Sequence, residues 1–198
     1  DIGVDGIMIV TPYYSKPSQH GILRHFEEIS KITDLPIMAY NIPGRTSTLI
    51  ELETLQTLVV DIGIHSIKDA VGDFEFSKKQ LELLKDKAHI YSGNDNQTYD
   101  FVINGGVGVV SVASHVVGDE ISEMISFAKD NDLEKAEEIN IQLSNLFESI
   151  FEEPSPGPIK KILSESWEEV GEPLLPITTI TPELANKIRG FYKEIKEN

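Results

Sequence analysis

"IHSIKDAVGD", residues 64–73, is the stretch on which the reading of this chain turns. An apolar, β-branched run through Ile62, Ile64 and Ile67 leads into Lys68, then Asp69, a glycine and another acid. Such a short apolar run reads as a strand buried on both faces, the kind found in parallel sheets. A lysine at its inner end needs a reason, because an ammonium is strongly hydrated and is almost never fully buried without a partner. Two readings are open. Lys68 is ion-paired with Asp69 or a neighbouring acid, or it is placed to lose its proton and act as an amine.

Working outward, four more runs have the same character: "GIMIV" (6–10), "PIMAYN" (36–41), "HIYSGN" (89–94) and "VGVVSVAS" (107–114). Helical patterns lie between them. "SQHGILRHFEEISKIT" sets Ile22, Phe26 and Ile29 on one face, and "TLIELETLQTLV" begins at a Ser/Thr cap region. "DFEFSKKQLELLKD" offers Asp73 as a cap with Phe76, Leu81 and Leu84 behind it, and "GDEISEMISFAK" stripes Ile121, Met124, Ile125 and Ala128. Strand and helix alternate, which predicts an α/β fold with a parallel sheet. After residue 130 strands stop, and three helical patterns follow, the last capped by Thr181 with Pro182 at its first position.

The polar residues gather at the C-terminal ends of the strands: "TPYYSKP", "YNIPGRT", Lys68, "SGNDN" and "SVASH". In parallel α/β folds that edge carries the active site. A (β/α)8 barrel takes about 250 residues. Five βα units here fit strands 4–8 of such a barrel, with residues 1–130 as the barrel part and 131–198 as a C-terminal helical extension; an open doubly wound sheet is the alternative. The opening "DIGVDG" reads as the last turn of a helix, a glycine stop and the start of a strand, so the front of the domain is expected to lie outside this sequence.

Composition narrows the functional classes. The chain has 198 residues, 40% of them hydrophobic, enough for one good-sized core. It has no cysteine, which removes disulfides, zinc–cysteine sites and thiol nucleophiles. A net charge of −16 argues against nucleic acid and anionic membranes as partners. No apolar run reaches the length of a membrane span, so a cytoplasmic protein is expected. The five histidines show no metal-ligand spacing, and no metal is expected. The glycines of "NGGVGVVSV" precede a strand instead of following one, the wrong end for a phosphate loop.

Around Lys68 the candidates are these. Tyr40 ends the neighbouring strand and could pass a proton between a substrate and the lysine; otherwise it is a packed barrel residue. Arg45 follows on the loop and could grip a carboxylate bidentately; otherwise it is a surface charge. The paired Tyr13 and Tyr14 suit either a subunit contact or packing of the loop on its own barrel.

Taken jointly, "TPYYSKPSQHGILRHF", "LPIMAYNIPGRT", "SIKDAVGD", "YSGND", "GGVGVVSVASH" and "EPSPGPIK" resemble the dihydrodipicolinate synthase family, in order and spacing. The resemblance implies a (β/α)8 barrel with a C-terminal helical domain, in a homotetramer built from tight dimers. It implies condensation of pyruvate with L-aspartate 4-semialdehyde, with no cofactor beyond a covalent imine between pyruvate and Lys68. Tyr40 matches the tyrosine of the proton relay, and Tyr14 the tyrosine that crosses the dimer interface to complete the neighbour's relay. Arg45 matches the arginine that binds the semialdehyde carboxylate. Gly93 and Val110 match residues lining the pyruvate pocket, and Tyr13 a residue beside the lysine-inhibitor site. The family's first three βα units, including a threonine pair that binds the pyruvate carboxylate, are expected outside this sequence. Sialic acid lyases and 2-keto-3-deoxy sugar acid aldolases share the lysine and tyrosine but lack the arginine, so Arg45 favours a short substrate ending in a carboxylate. A related aldolase with another acceptor and a non-catalytic remnant are the competing readings.

Overall fold

The structure, a computed structural model, describes residues 3–197. Their elements fall into two compact units, divided after Val110.

The first unit is a five-stranded parallel sheet in the order β1-β2-β3-β4-β5. The strands are β1 (Ile7–Val10), β2 (Ile37–Asn41), β3 (Ser66–Asp69), β4 (His89–Ser92) and β5 (Gly108–Val109). The connections are helices α1 (Gln19–Ser30), α2 (Pro43–Thr46), α3 (Leu52–Val60), α4 (Phe74–Leu83) and α5 (Thr98–Ile103), with a 3-10 turn at Asp95–Gln97. This is the α/β architecture expected, part of a (β/α)8 barrel.

The core lies on the helix-covered face of the sheet. Ile37 and Ala39 of β2, Ile67 of β3 and Ile90 of β4 meet Ile22 and Phe26 of α1, Leu55 and Leu58 of α3, Leu81 and Leu84 of the α4 region, and Phe101 of α5. Burying each such large side chain stabilises the fold by about 1.5–3 kcal/mol. Because side chains alternate along a strand, Met38, Tyr40, Ser66, Lys68 and Tyr91 fall on the other face, where all are only partly buried. That face would be the interior of a closed barrel.

Local chemistry places the helices. Ser18 caps α1 by accepting the Gly21 N–H at 3.2 Å. Asp73 caps α4, accepting from Glu75 N at 3.0 Å and Phe76 N at 3.3 Å, as its sequence position predicts.

Some boundaries differ from expectation. Residues 3–6 are not helical, although Gly3 has the left-handed φ of 68° that a helix-stopping glycine takes; Asp1 and Ile2, where that helix turn would sit, lie outside the described residues. Strand β5 has two residues, because the apolar run 107–114 spans strand, turn and the first residue of the next helix. Helix α3 starts after Glu51 without a side-chain cap, since the Ser/Thr segment before it is held by other bonds.

The second unit is helical: α6 (Ser114–Lys129), α7 (Leu133–Ser149), α8 (Gly157–Ser166) and α9 (Pro182–Glu197). Helix α6, which the sequence placed with the barrel through residue 130, packs on α7 and α8, so it groups with the helical unit. Ala136, Leu143 and Leu146 of α7 and its C-cap Ile150 are buried, while Ile139 of the same apolar spacing is only half-buried. No helix among the described residues is long and apolar enough to cross a membrane.

Candidate active site

Strand register brings the site together. Tyr40 pairs with Lys68 across β2 and β3, and Lys68 pairs with Tyr91 across β3 and β4. Three side chains of one face therefore stand in a row at the C-terminal ends of three consecutive strands. Lys68 Nζ lies 4.2 Å from the centroid of the Tyr40 ring, over its face. The contact is a cation–π geometry, which attracts an ammonium to the face of the ring.

Asp69, the neighbour that could have paired with Lys68, turns to the other side of the sheet. Its carboxylate is 1% exposed and accepts from Val71 N at 2.9 Å, Ser77 Oγ at 2.9 Å and Gln80 Nε2 at 3.1 Å. Burial raises its pKa above the ordinary aspartate value, against those three hydrogen bonds.

The lysine is thereby left with a loosened proton. Burial lowers the Lys68 pKa below the ordinary lysine value, while the charge of Asp95 acts in the opposite sense. Burial raises the Tyr40 pKa, with the Arg45 guanidinium opposing it, so the phenol keeps its proton at neutral pH. A lysine whose charged form is disfavoured by burial, beside a protonated phenol, is a pairing suited to carbonyl attack.

Gly93 forms the wall on the β4 side. Its N–H donates to Asp69 O at 2.6 Å. A Cβ here would meet Ala70 Cβ at 2.7 Å, Asp69 O at 3.0 Å and Lys68 Cε at 3.1 Å. Only glycine lets this backbone pass so close to the lysine. Val110 follows β5 at the same edge, its N–H donating to Ser92 O at 2.9 Å.

Arg45 sits in the one-turn helix α2, five residues beyond Tyr40, and is exposed. Tyr13 and Tyr14 follow β1 and are 67% and 94% exposed, so neither is packed onto its own barrel. Tyr14 also has a left-handed φ of 66°. The structure thus gathers Lys68, Tyr40, Gly93 and Val110 at one edge and leaves Tyr13, Tyr14 and Arg45 reaching outward from it.

Asp95 and Asn41 are among the groups that escaped the sequence reading. Asp95 is 2% exposed and its charge reaches Lys68; its signal was an acid in the first turn after a strand, in "SGND". Asn41 is fully buried at the end of β2; its signal was a polar residue on the parity of Ile37 and Ala39. A cavity of about 1120 Å³ opens at the opposite end of the strands, bordered by His65, Leu84, His89 and Val107, away from this cluster. Among the described residues no group of three or more His, Asp or Glu is placed to hold a metal ion.

The model of the dihydrodipicolinate synthetase family matches residues 1–195. The chain belongs to this family. It is 42% identical over 183 residues to 4-hydroxy-tetrahydrodipicolinate synthase 1 of Halalkalibacterium halodurans, covering 92% of this chain and 62% of that protein. The solved dihydrodipicolinate synthase of Thermotoga maritima superposes with a TM-score of 0.95 at 32% identity, over 98% of this chain and 67% of that one. The enzyme of Acinetobacter baumannii, solved in complex with pyruvate, gives a TM-score of 0.94 at 31% identity, over 98% and 67%. The chain spans about two thirds of the length of these family members.

Proposed function

We propose that the protein is a lysine Schiff-base lyase of the dihydrodipicolinate synthase type, condensing pyruvate with L-aspartate 4-semialdehyde in the cytoplasm. The observation that carries this is Lys68: half-buried, turned away from Asp69, stacked on Tyr40, and with its pKa lowered by burial.

The chemistry follows from the arrangement. Lys68 Nζ attacks the keto carbon of pyruvate, water leaves, and an iminium forms. The iminium withdraws electrons, so the adjacent methyl carbon loses a proton and becomes an enamine. That carbon attacks the aldehyde of the second substrate, and Tyr40 serves the proton transfers. The second substrate's own amine then displaces Lys68 and closes the ring of 4-hydroxy-tetrahydrodipicolinate. No cofactor is required. Arg45, on the loop that leaves β2, meets the second carboxylate; a polyhydroxylated acceptor would find no use for it. Gly93 and Val110 line the pyruvate pocket.

A working barrel needs its edge strands β1 and β5 paired, and the relatives' additional length would supply that closure. The exposed Tyr13 and Tyr14 fit a contact between copies, with Tyr14 completing a neighbour's relay in a tetramer made of dimers and Tyr13 beside a site for the inhibitor lysine.

Incubation with pyruvate and borohydride, followed by peptide mapping, tests the proposal. A reduced pyruvyl adduct on Lys68, and on no other lysine, is the expected result. A folded protein with Lys68 unmodified overturns it. Sedimentation of Tyr14→Ala tests the assembly, with dissociation expected.

A further inference from the structure

Two side-chain amides grip one short piece of backbone. Asn41 donates from Nδ2 to Ile50 O at 3.0 Å and accepts the Ile50 N–H on Oδ1 at 3.0 Å. Gln19, the first residue of α1, donates from Nε2 to Leu49 O at 2.8 Å and accepts the Glu51 N–H on Oε1 at 3.1 Å. Three consecutive residues, 49–51, are thus held by amides from two different elements. Asn41 and Ile50 are both fully buried.

What the grip encloses is the loop of residues 42–49. The chain leaves the sheet at Asn41, makes the single turn α2 that carries Arg45, stops at Ser47 in a left-handed conformation with φ 56°, and returns to the Asn41 side chain. Inside the loop, Thr46 Oγ1 lies 3.0 Å from Ile42 O and 2.9 Å from Thr48 O. A four-residue helix has little stability of its own, so the direction in which Arg45 leaves the loop is set by how the loop is closed. The amide is suited to this because it offers one donor and one acceptor side by side. An aspartate would set an acceptor against Ile50 O, and an apolar residue would leave both Ile50 backbone groups buried and unpaired.

We infer that Asn41, supported by Gln19, is a positioning residue for Arg45, and that this clamp sets the preference for a short aldehyde ending in a carboxylate. The inference rests on the proposed role of Arg45 in that reaction.

The test uses the full chain with Asn41→Ala, Gln19→Ala, Arg45→Ala and the double variant Asn41→Ala/Arg45→Ala. Trypsin reads the clamp directly. Cleavage after Arg45 should quicken about tenfold in Asn41→Ala, while cleavage after Arg24 keeps its wild-type rate; equal cleavage after Arg45 in both proteins overturns the clamp. Kinetics read its purpose. KM for L-aspartate 4-semialdehyde should rise roughly tenfold with kcat changing less than about threefold. The double variant should be no worse than Arg45→Ala, because both act through one group; additive losses overturn the role. Gln19→Ala, which leaves β2 untouched, should shift both readouts the same way by less, and it decides the matter if Asn41→Ala unfolds. Absence of any pyruvate adduct in the wild type would defeat the proposed reaction, and the trypsin result would still decide the clamp.

Discussion

The two faces of this sheet differ in how their polar groups are treated. On the helix-covered face every buried polar side chain at the strand ends is bonded: Asn41 to Ile50, Asp69 to Val71, Ser77 and Gln80, and Ser92 Oγ to Asn94 O at 2.7 Å. On the opposite face Tyr40, Lys68 and Tyr91 are only partly covered, and Lys68 meets an aromatic ring. Lys68 and Asp69 are adjacent residues, separated only by the two-residue period of a strand. Full burial with hydrogen-bonded partners suits an anchor, whereas partial burial beside an aromatic ring suits the reactive role proposed for Lys68.

The largest expected effect is on the reactive face. Lys68→Ala should abolish borohydride trapping of pyruvate while the melting temperature holds or rises, because a half-buried ammonium is removed. Calorimetry alongside the trapping assay checks both halves; a collapse of the fold would make Lys68 an anchor and break the contrast. Tyr40→Phe keeps the ring under Nζ and removes only the hydroxyl. It should lower kcat by roughly 100- to 10,000-fold, the range for a lost general acid–base group, with denaturation unchanged. A full-rate variant would leave the ring contact as the tyrosine's whole role.

On the anchor face the expectation reverses. Asp69→Ala leaves Val71 N, Ser77 and Gln80 without their shared acceptor, and should lower stability by roughly 2–4 kcal/mol in urea denaturation. Imine formation in the molecules that remain folded should persist.

The smallest effect is in pH dependence, where the two residues should give slopes of opposite sign. Lys68 has a folded pKa below its ordinary value of 10.5. Between the two values the unfolded chain holds the extra proton, so stability rises with pH through that window. Asp69 has a folded pKa above its ordinary value of 3.8. There the folded chain holds the extra proton, so stability falls as pH rises from 3.8 through the folded pKa. Urea curves of the wild type against Lys68→Met and Asp69→Asn isolate each slope; slopes of the same sign would contradict the assignment of environments.

The sequence made one half of this contrast legible. Apolar run length located the five strands, and the position of Lys68 at a strand end left it open between an ion-paired lysine and a reactive amine. The family resemblance then implied the roles proposed for Tyr40 and Arg45, whose side chains carry recognisable chemistry. The anchors were harder to see. Asn41, Gln19, Ser77 and Gln80 become functional only through partners between eight and thirty-two positions away, and no periodicity records such a pairing. Helix α5 was missed because "NDNQTYDFVI" is polar at its start and short. Strand β5 was overextended because its apolar composition continues unchanged into the turn and helix that follow.

The strand order of the sheet has a consequence for how it is made. Spatial order and chain order coincide from β1 to β5, so each strand from β2 to β5 emerges from a ribosome with a partner already beside it. No pairing among these five strands requires a segment still to be synthesised, and each loop closed is one βα unit long, so its entropic cost grows only slowly with length. The half of the sheet that holds Tyr40 and Lys68 can therefore form, residue against residue, before β5 exists.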